Sequence, residues 1–207
     1  MESRLVAIKP SGVAYDALRA EDMVLLELDS GCALKVGLRP SSDAPTHLHL
    51  YRHFPTIGAI VHTHSPHATA WAQLGRPLPC FGTTHADHFH GSVPVARRLR
   101  TREINEAYEH ASGVSIVETF ARQGLHPEHV PAVLLPGHAP FTWGPDAQAA
   151  VDNAIALEAV ARMALLMDAG RQKLPELDAQ VRDKHFQRKH GPRAYYGQPG
   201  GKKGTTR

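Results

Sequence analysis

Apolar and polar positions alternate between two periods along this chain, and each switch marks an element. "LVAIK" (5–9) is a short apolar run closed by Pro10-Ser11-Gly12 and predicts a strand. "MVLLELDSGCALKV" (23–36) is an apolar run, an Asp29-Ser30-Gly31 turn and a second alternating run, the pattern of a hairpin. "SSDAPTHLHLYRHF" opens with helix-start chemistry: Ser42 or Asp43 can cap, and Pro45 suits the first turn. "IGAIVHTH" (57–64) predicts a fully buried strand, followed by a short helix in "SPHATAWAQLG" that Gly75 ends. "LPCFGTTHADHF" reads as strand, then loop. "EINEAYEHASG" predicts a helix stopped by Gly113, and "SIVETFARQG" a second one ending at Gly124. "PAVLLPGHAPFTWG" is an apolar strand running into a Gly/Pro turn that carries His138. Residues 146–170 form the longest helical pattern, apolar nearly all round from Ala154 to Met167, which predicts burial. Glu158 and Arg162 interrupt it at a spacing that allows a pair. A last helix covers residues 175–189.

Strands and helices mix without a regular βαβ beat, and hairpin signals are present. The prediction is an α/β (α+β) fold: one domain over residues 1–198, layered α/β/α, with a central, largely antiparallel sheet. The Gly-rich, basic stretch 199–207 predicts a disordered tail.

Composition narrows the function classes. With 207 residues, 42% hydrophobic and 21% charged, the chain is that of a soluble globular protein. A net charge of +3, part of it in the tail, is too weak a field to argue for nucleic acid. Two cysteines, Cys32 and Cys80, form no CxxC pair and no disulfide framework, which fits a reducing cytoplasm. No stretch has the form of a signal peptide or of a membrane span, so no membrane role is expected.

The unusual count is histidine, at 15. Position has to sort them. In a strand, residues two apart face one side, so His62 and His64 present two imidazoles together at the end of an apolar run. That is a workable bite for one zinc ion, but a solvated strand face would look the same. His47 and His49 fall on the predicted helix, where residues two apart do not share a face. His85, His88 and His90 lie in a loop, which can gather three rings. A catalytic zinc needs at least three protein ligands, and His138, in its turn at a strand end, is a candidate third.

The segments "IKPSGVAY", "LRPSSDAPTHLHLYRHFPTIGAIVHTHSPHATAWAQ", "GTTHAD", "VETF", "PGHAPFTWG" and "VRDKHFQRKHGPRAYYGQ" carry a resemblance that runs from Val6 to Gln198 in one register. In them the chain resembles the L-ribulose-5-phosphate 4-epimerases of the class II aldolase (aldolase/adducin head) family. The resemblance implies a zinc ion held by His62, His64 and His138, with Asp43 as a carboxylate fourth ligand. Aldolases of the family usually carry glutamate at that position. It implies Asp87 and Tyr196 as the two proton-transfer groups, supplied across a subunit boundary in a homotetramer. Thr83, His185 and Arg188 fall in matching motifs. Ser11, Gly12, Ser41 and Ser42 match substrate-binding positions, with Lys9 nearby, and hydroxyls and turn N–H groups suit a phosphate.

The activity implied by the resemblance is interconversion of L-ribulose 5-phosphate and D-xylulose 5-phosphate in cytoplasmic pentose (L-arabinose) catabolism. A class II aldolase acting on a deoxy-ketose 1-phosphate and a non-catalytic zinc-holding scaffold are the alternatives. The chain departs from the pattern in three places. It begins where an opening helix and a Gly-Asn-Xaa-Ser turn would already have passed. His88 and His90 stand where tyrosines are usual, His88 beside Asp87. Ala139 follows His138 where glycine is usual.

Overall fold

The structure, a computed structural model, describes residues 4–168 and 174–195. Its strands are β1 (Leu5–Ile8), β2 (Val24–Glu27), β3 (Ala59–His62), β4 (Ala132–Leu134) and β5 (Pro140–Gly144). Its helices are α1 (Ala44–His53), α2 (Pro66–Leu74), α3 (Thr83–Ala86), α4 (Thr101–Gln123), α5 (Ala147–Asp168) and α6 (Ala179–His190). All strand pairing among named strands is antiparallel, in two pieces: β1 with β2, and a three-stranded sheet in the order β3-β5-β4.

The larger sheet is the middle of three layers, and the alternation of its side chains shows why. Ala132 and Leu134 pack with Trp71 of α2 and with Leu157, Val160 and Ala161 of α5. Val133, Phe141 and Trp143 face the other way, onto Leu50 and Phe54 near α1 and onto Ile116 and Phe120 of α4. A strand with period-two alternation that is apolar on both faces has to be covered on both. The small sheet closes a third cluster, with Val6, Ile8, Val24 and Leu26 packed on Ala44 and Leu48 of α1. The layered antiparallel fold expected from the pattern is therefore the fold observed.

Local details depart from the sequence pattern. The predicted hairpin at 23–36 is only partly laddered: the second arm returns through the Glu27 N–H to Cys32 O and Leu34 N–H to Leu25 O bonds, while β2 takes β1 as its strand partner. Gly113 does not stop a helix. α4 runs through it, and its one non-helical residue is Ala107 (φ −161°, ψ 55°). A Cβ at Gly113 would lie 2.9 Å from His49 Cβ and 3.2 Å from Thr46 O, so the glycine lets α4 cross closely over α1.

α5 is not buried all round. Ala156, Leu157, Val160, Ala161 and Ala164 face the core, while Val151, Ile155, Met163 and Leu166 are exposed. Glu158 does not reach for Arg162. Its carboxylate crosses to the start of α2. The loop after Cys80 contains the short helix α3, and the tail 199–207 lies outside the described residues. Cys32 and Cys80 are unpaired.

Candidate metal centre

β3 pairs with β5 in the register His62↔Phe141. That register stacks the His62 ring on Phe141, with centroids 4.0 Å apart and planes at 14°. It also brings His62 Nδ1 to 2.8 Å from Pro140 O. A carbonyl can only accept, so Nδ1 carries the proton and Nε2 is left with its lone pair outward. This is the second bond that fixes the tautomer of a metal-binding histidine.

His64 lies beyond the last residue of β3, yet its ring stays with its neighbour, at 5.2 Å between centroids. His138 comes from the turn between β4 and β5. That turn closes despite Ala139: Gly137 takes the left-handed conformation (φ +73°), Leu135 N–H donates to Ala139 O at 3.0 Å, and Gly137 N–H donates to Ala72 O at 3.2 Å. The His138 ring is then 5.0 Å from His62 and 4.9 Å from His64, with Nε2 of His138 3.1 Å from Nε2 of His64.

Each of the three histidines offers a nitrogen, and these atoms all lie within 4.8 Å of one another. Among the described residues no other group of histidine, cysteine or carboxylate side chains does this. Burial pulls His62 and His138 below the ordinary imidazole range, and the other imidazoles add to the effect on His138. Both are therefore neutral at neutral pH, the protonation state a metal requires. Three converging imidazoles, one with its tautomer set by a carbonyl, fit zinc.

Asp43 sits at the N-cap of α1 but makes no side-chain capping bond. Asp43 instead lines a cavity of about 580 Å³ that Ser41, His47, Tyr51, His62 and His64 also line, and it is not one of the converging group. It is close enough to favour the protonated forms of His62 and His138. Lys9 lines the same cavity. Ser11, Gly12 and Ser42 are exposed and do not line it, although Ser11 N–H bonds Arg39 O and Ser41 N–H bonds Lys9 O, which ties the two loops together.

Asp87 is elsewhere. It is the C-cap of α3, and α6 holds it: His185 Nδ1 is 3.0 Å from Oδ1, and Arg188 Nη2 is 2.9 Å from Oδ2. Burial pushes the Asp87 carboxyl up, but the bonds from Arg188 and His185 outweigh it and hold the group below the usual carboxylate range. His185 and Arg188 set this group, rather than the adjacent His88, whose ring goes to Asn153 Oδ1 and Lys189 Nζ. Thr83 O accepts the Asp87 N–H at 2.9 Å. Tyr196 lies outside the described residues.

The loop histidines do not gather: His85 bonds Gly91 O, His88 bonds Asn153, and His90 bonds Asp183. His47 is the cavity residue that pairwise spacing hides. It shares no face with His49, but Asp43, His47 and Tyr51 follow one another at i, i+4 and i+8, and all three line the cavity.

Comparison with known proteins supplies a family. The family described as Class II Aldolase and Adducin N-terminal domain matches residues 1–165. Among solved structures, an L-fuculose 1-phosphate aldolase is 24% identical, with a TM-score of 0.68 over 87% of this chain and 78% of that one. YgbL from Escherichia coli, whose description spans aldolase, epimerase and decarboxylase, is 24% identical, with a TM-score of 0.65 over 87% of this chain and 84% of its own. The L-fuculose 1-phosphate aldolase from Glaciozyma antarctica PI12 is 21% identical, with a TM-score of 0.69 over 88% of this chain and 66% of that one.

Proposed function

Because the chain belongs to the Class II Aldolase and Adducin N-terminal domain family, we propose that it breaks and re-forms a carbon–carbon bond of a sugar phosphate at the His62, His64 and His138 centre, with zinc as the metal. Its reaction is the interconversion of L-ribulose 5-phosphate and D-xylulose 5-phosphate. The observation that carries this reading is the cluster of three converging imidazoles beside a cavity large enough for a pentose phosphate.

C4 of such a pentose is not next to the ketone, so its hydrogen is not acidic and cannot simply be removed. Inversion needs the C3–C4 bond to break. The C4 hydroxyl loses its proton, the C3–C4 electron pair moves onto C3 and the carbonyl, and the products are the enediolate of dihydroxyacetone and glycolaldehyde phosphate. The aldehyde turns, the enediolate carbon adds to its other face, and the new C4 oxygen regains a proton. Bound zinc supplies a Lewis acid that stabilises negative charge on the substrate oxygens.

The chain's residues do the rest. His62, His64 and His138 hold the metal, with Asp43 as the carboxylate that completes the set. Ser11, Gly12, Ser41 and Ser42, with Lys9, take the phosphate. Asp87 and Tyr196 move the proton on opposite faces of the aldehyde. Within one chain Asp87 does not line the cavity of His62 and His64, so this division of labour calls for a second copy. The exposed Val151, Ile155, Met163 and Leu166 on α5 give such a copy apolar surface to cover, and a homotetramer is the assembly we propose. No helix among the described residues is long and apolar enough to cross a membrane.

A second reading, cleavage of a deoxy-ketose 1-phosphate, draws on the names of the two similar aldolases. It uses the same centre. Asp43, where aldolases of the family usually carry glutamate, favours the epimerase. The deciding assay offers the purified chain L-ribulose 5-phosphate and, separately, L-fuculose 1-phosphate, each with zinc and with a chelator. D-Xylulose 5-phosphate formed only with metal supports the epimerase. Release of a free aldehyde from the second substrate alone supports the aldolase. Turnover of neither by a zinc-loaded chain rejects both.

A further inference from the structure

Glu158 belongs to the middle of α5, but its carboxylate ends at the first turn of α2. The two oxygens accept the backbone N–H of His67 at 3.0 and 3.2 Å and that of Ala68 at 2.9 Å, and one lies 2.6 Å from His67 Nδ1. The nearby Ser65 hydroxyl also favours its charged form. These are the N–H groups that the start of a helix leaves without partners, and Pro66 has none to offer. Ser65 stands at the N-cap and makes no side-chain capping bond to its own helix. Glu158 therefore does the capping from a helix 91 residues further on, with charge-assisted bonds and with its negative charge at the positive end of α2. Burial pushes its carboxyl up, but the bonds to Ala68, His67 and Ser65 outweigh this and hold it below the usual range.

This clamp falls directly behind a metal ligand. β3 ends at His62, so its ladder does not hold His64. On its other side His64 is joined to Ser65, the residue at which α2 begins. Thr63 and His64 thus bridge the end of a strand and a turn that Glu158 pins, and His64 is the exposed member of the three histidines. We infer that Glu158 is a positioning residue: by clamping the first turn of α2 to α5 it holds His64 where its nitrogen meets those of His62 and His138. The inference rests on the reading of that cluster as a metal centre.

The test measures metal binding rather than turnover. Apoprotein is titrated with zinc against a chromophoric chelator, and with cobalt(II) to read the ligand-field bands, for wild type, Glu158→Gln and Glu158→Ala. The comparison variant is Asp168→Asn, which removes the ion pair between Asp168 at the end of α5 and Arg76 just beyond α2. It loosens the same two helices at their far ends. We expect roughly 10- to 100-fold weaker zinc binding and altered cobalt bands in the Glu158 variants, the range seen when support behind a ligand is removed, with wild-type values for Asp168→Asn. Should Glu158→Ala not fold, the isosteric Glu158→Gln decides. Wild-type affinity and spectrum in Glu158→Gln, or equal weakening in Asp168→Asn, would overturn the inference alone. A wild-type chain that binds no zinc would overturn the metal centre and the inference with it.

Discussion

His85 shows how burial turns one side chain into a pH-dependent term. It is 3% exposed, and its Nε2 lies 2.7 Å from Gly91 O. Burial lowers its pKa from 6.5 to about 4, helped by His88 and partly opposed by the Gly91 bond. The unfolded chain therefore takes up a proton before the folded one does. Stability is unaffected above pH 6.5, falls as pH drops from 6.5 toward 4, and stops responding to this group below that, where both states are protonated. One proton taken up by the unfolded state alone is worth about 1.4 kcal/mol per pH unit. His85→Gln cannot titrate in this range. Urea melts of the two proteins at pH 7, 6, 5 and 4 should show a shallower acid loss in the variant, and parallel curves would reject this account. Asp87 is shifted in the same direction for a different reason, held ionised against burial by Arg188 and His185, so its contribution too is present at neutral pH and lost on strong acidification.

At the level of elements, the crossing of α1 and α4 hinges on a residue with no side chain. Thr46 Oγ1 donates to Glu109 O at 2.6 Å and Gly113 lies against His49, so the two helices meet backbone to backbone. Gly113→Ala would gain roughly 1 kcal/mol of helix propensity. It would also force a Cβ to within 2.9 Å of His49 Cβ, and overpacking of this kind costs about 1–3 kcal/mol. We expect a net loss of stability of up to about 2 kcal/mol, measured by denaturant melts, and a gain would show that the helices can part freely. Local chemistry announced other elements plainly. Pro66 and Gly75 bound α2 as their types suggest, whereas the last helix starts later than the pattern from 175 has it, at Ala179, where Asp178 caps it through Gln180 and Val181 N–H. Gly113 misled because the same residue type ends one helix and lets another pass, and only the neighbour decides which.

For the whole molecule, the arrangement of parts matters more than any part. The cavity beside His62 and His64 and the Asp87–His185–Arg188 group occupy different places in one chain, and α5 turns an apolar stripe to solvent. If copies assemble over that stripe, Ile155→Glu should lower the sedimentation coefficient and, in the proposed enzyme, reduce turnover while zinc binding to the separated chain persists. An unchanged coefficient would place the contact elsewhere. The pattern from Ala154 to Met167 could not reveal this stripe, because an apolar residue facing a partner and one facing the core look alike in sequence.

The sequence by itself determined the class of fold, the nature and order of most elements, and the candidate histidines. The apolar run before the turn at His138, Gly and Pro at the turns, and the spacing of His62 and His64 are all local signals, whereas β5 (Pro140–Gly144) was hidden behind that turn. Only the tertiary structure decided which of 15 histidines converge. The β3–β5 register sets the tautomer of His62, the turn at Gly137 delivers His138, and Asp43, His47 and Tyr51 form one stripe along a helix face. It likewise decided that Glu158 serves α2 rather than Arg162. The physical reason is range: propensity and periodicity act over a few residues, whereas a metal centre and a cap supplied from another helix depend on contacts between segments some 75 to 90 residues apart, which exist only once the core has packed.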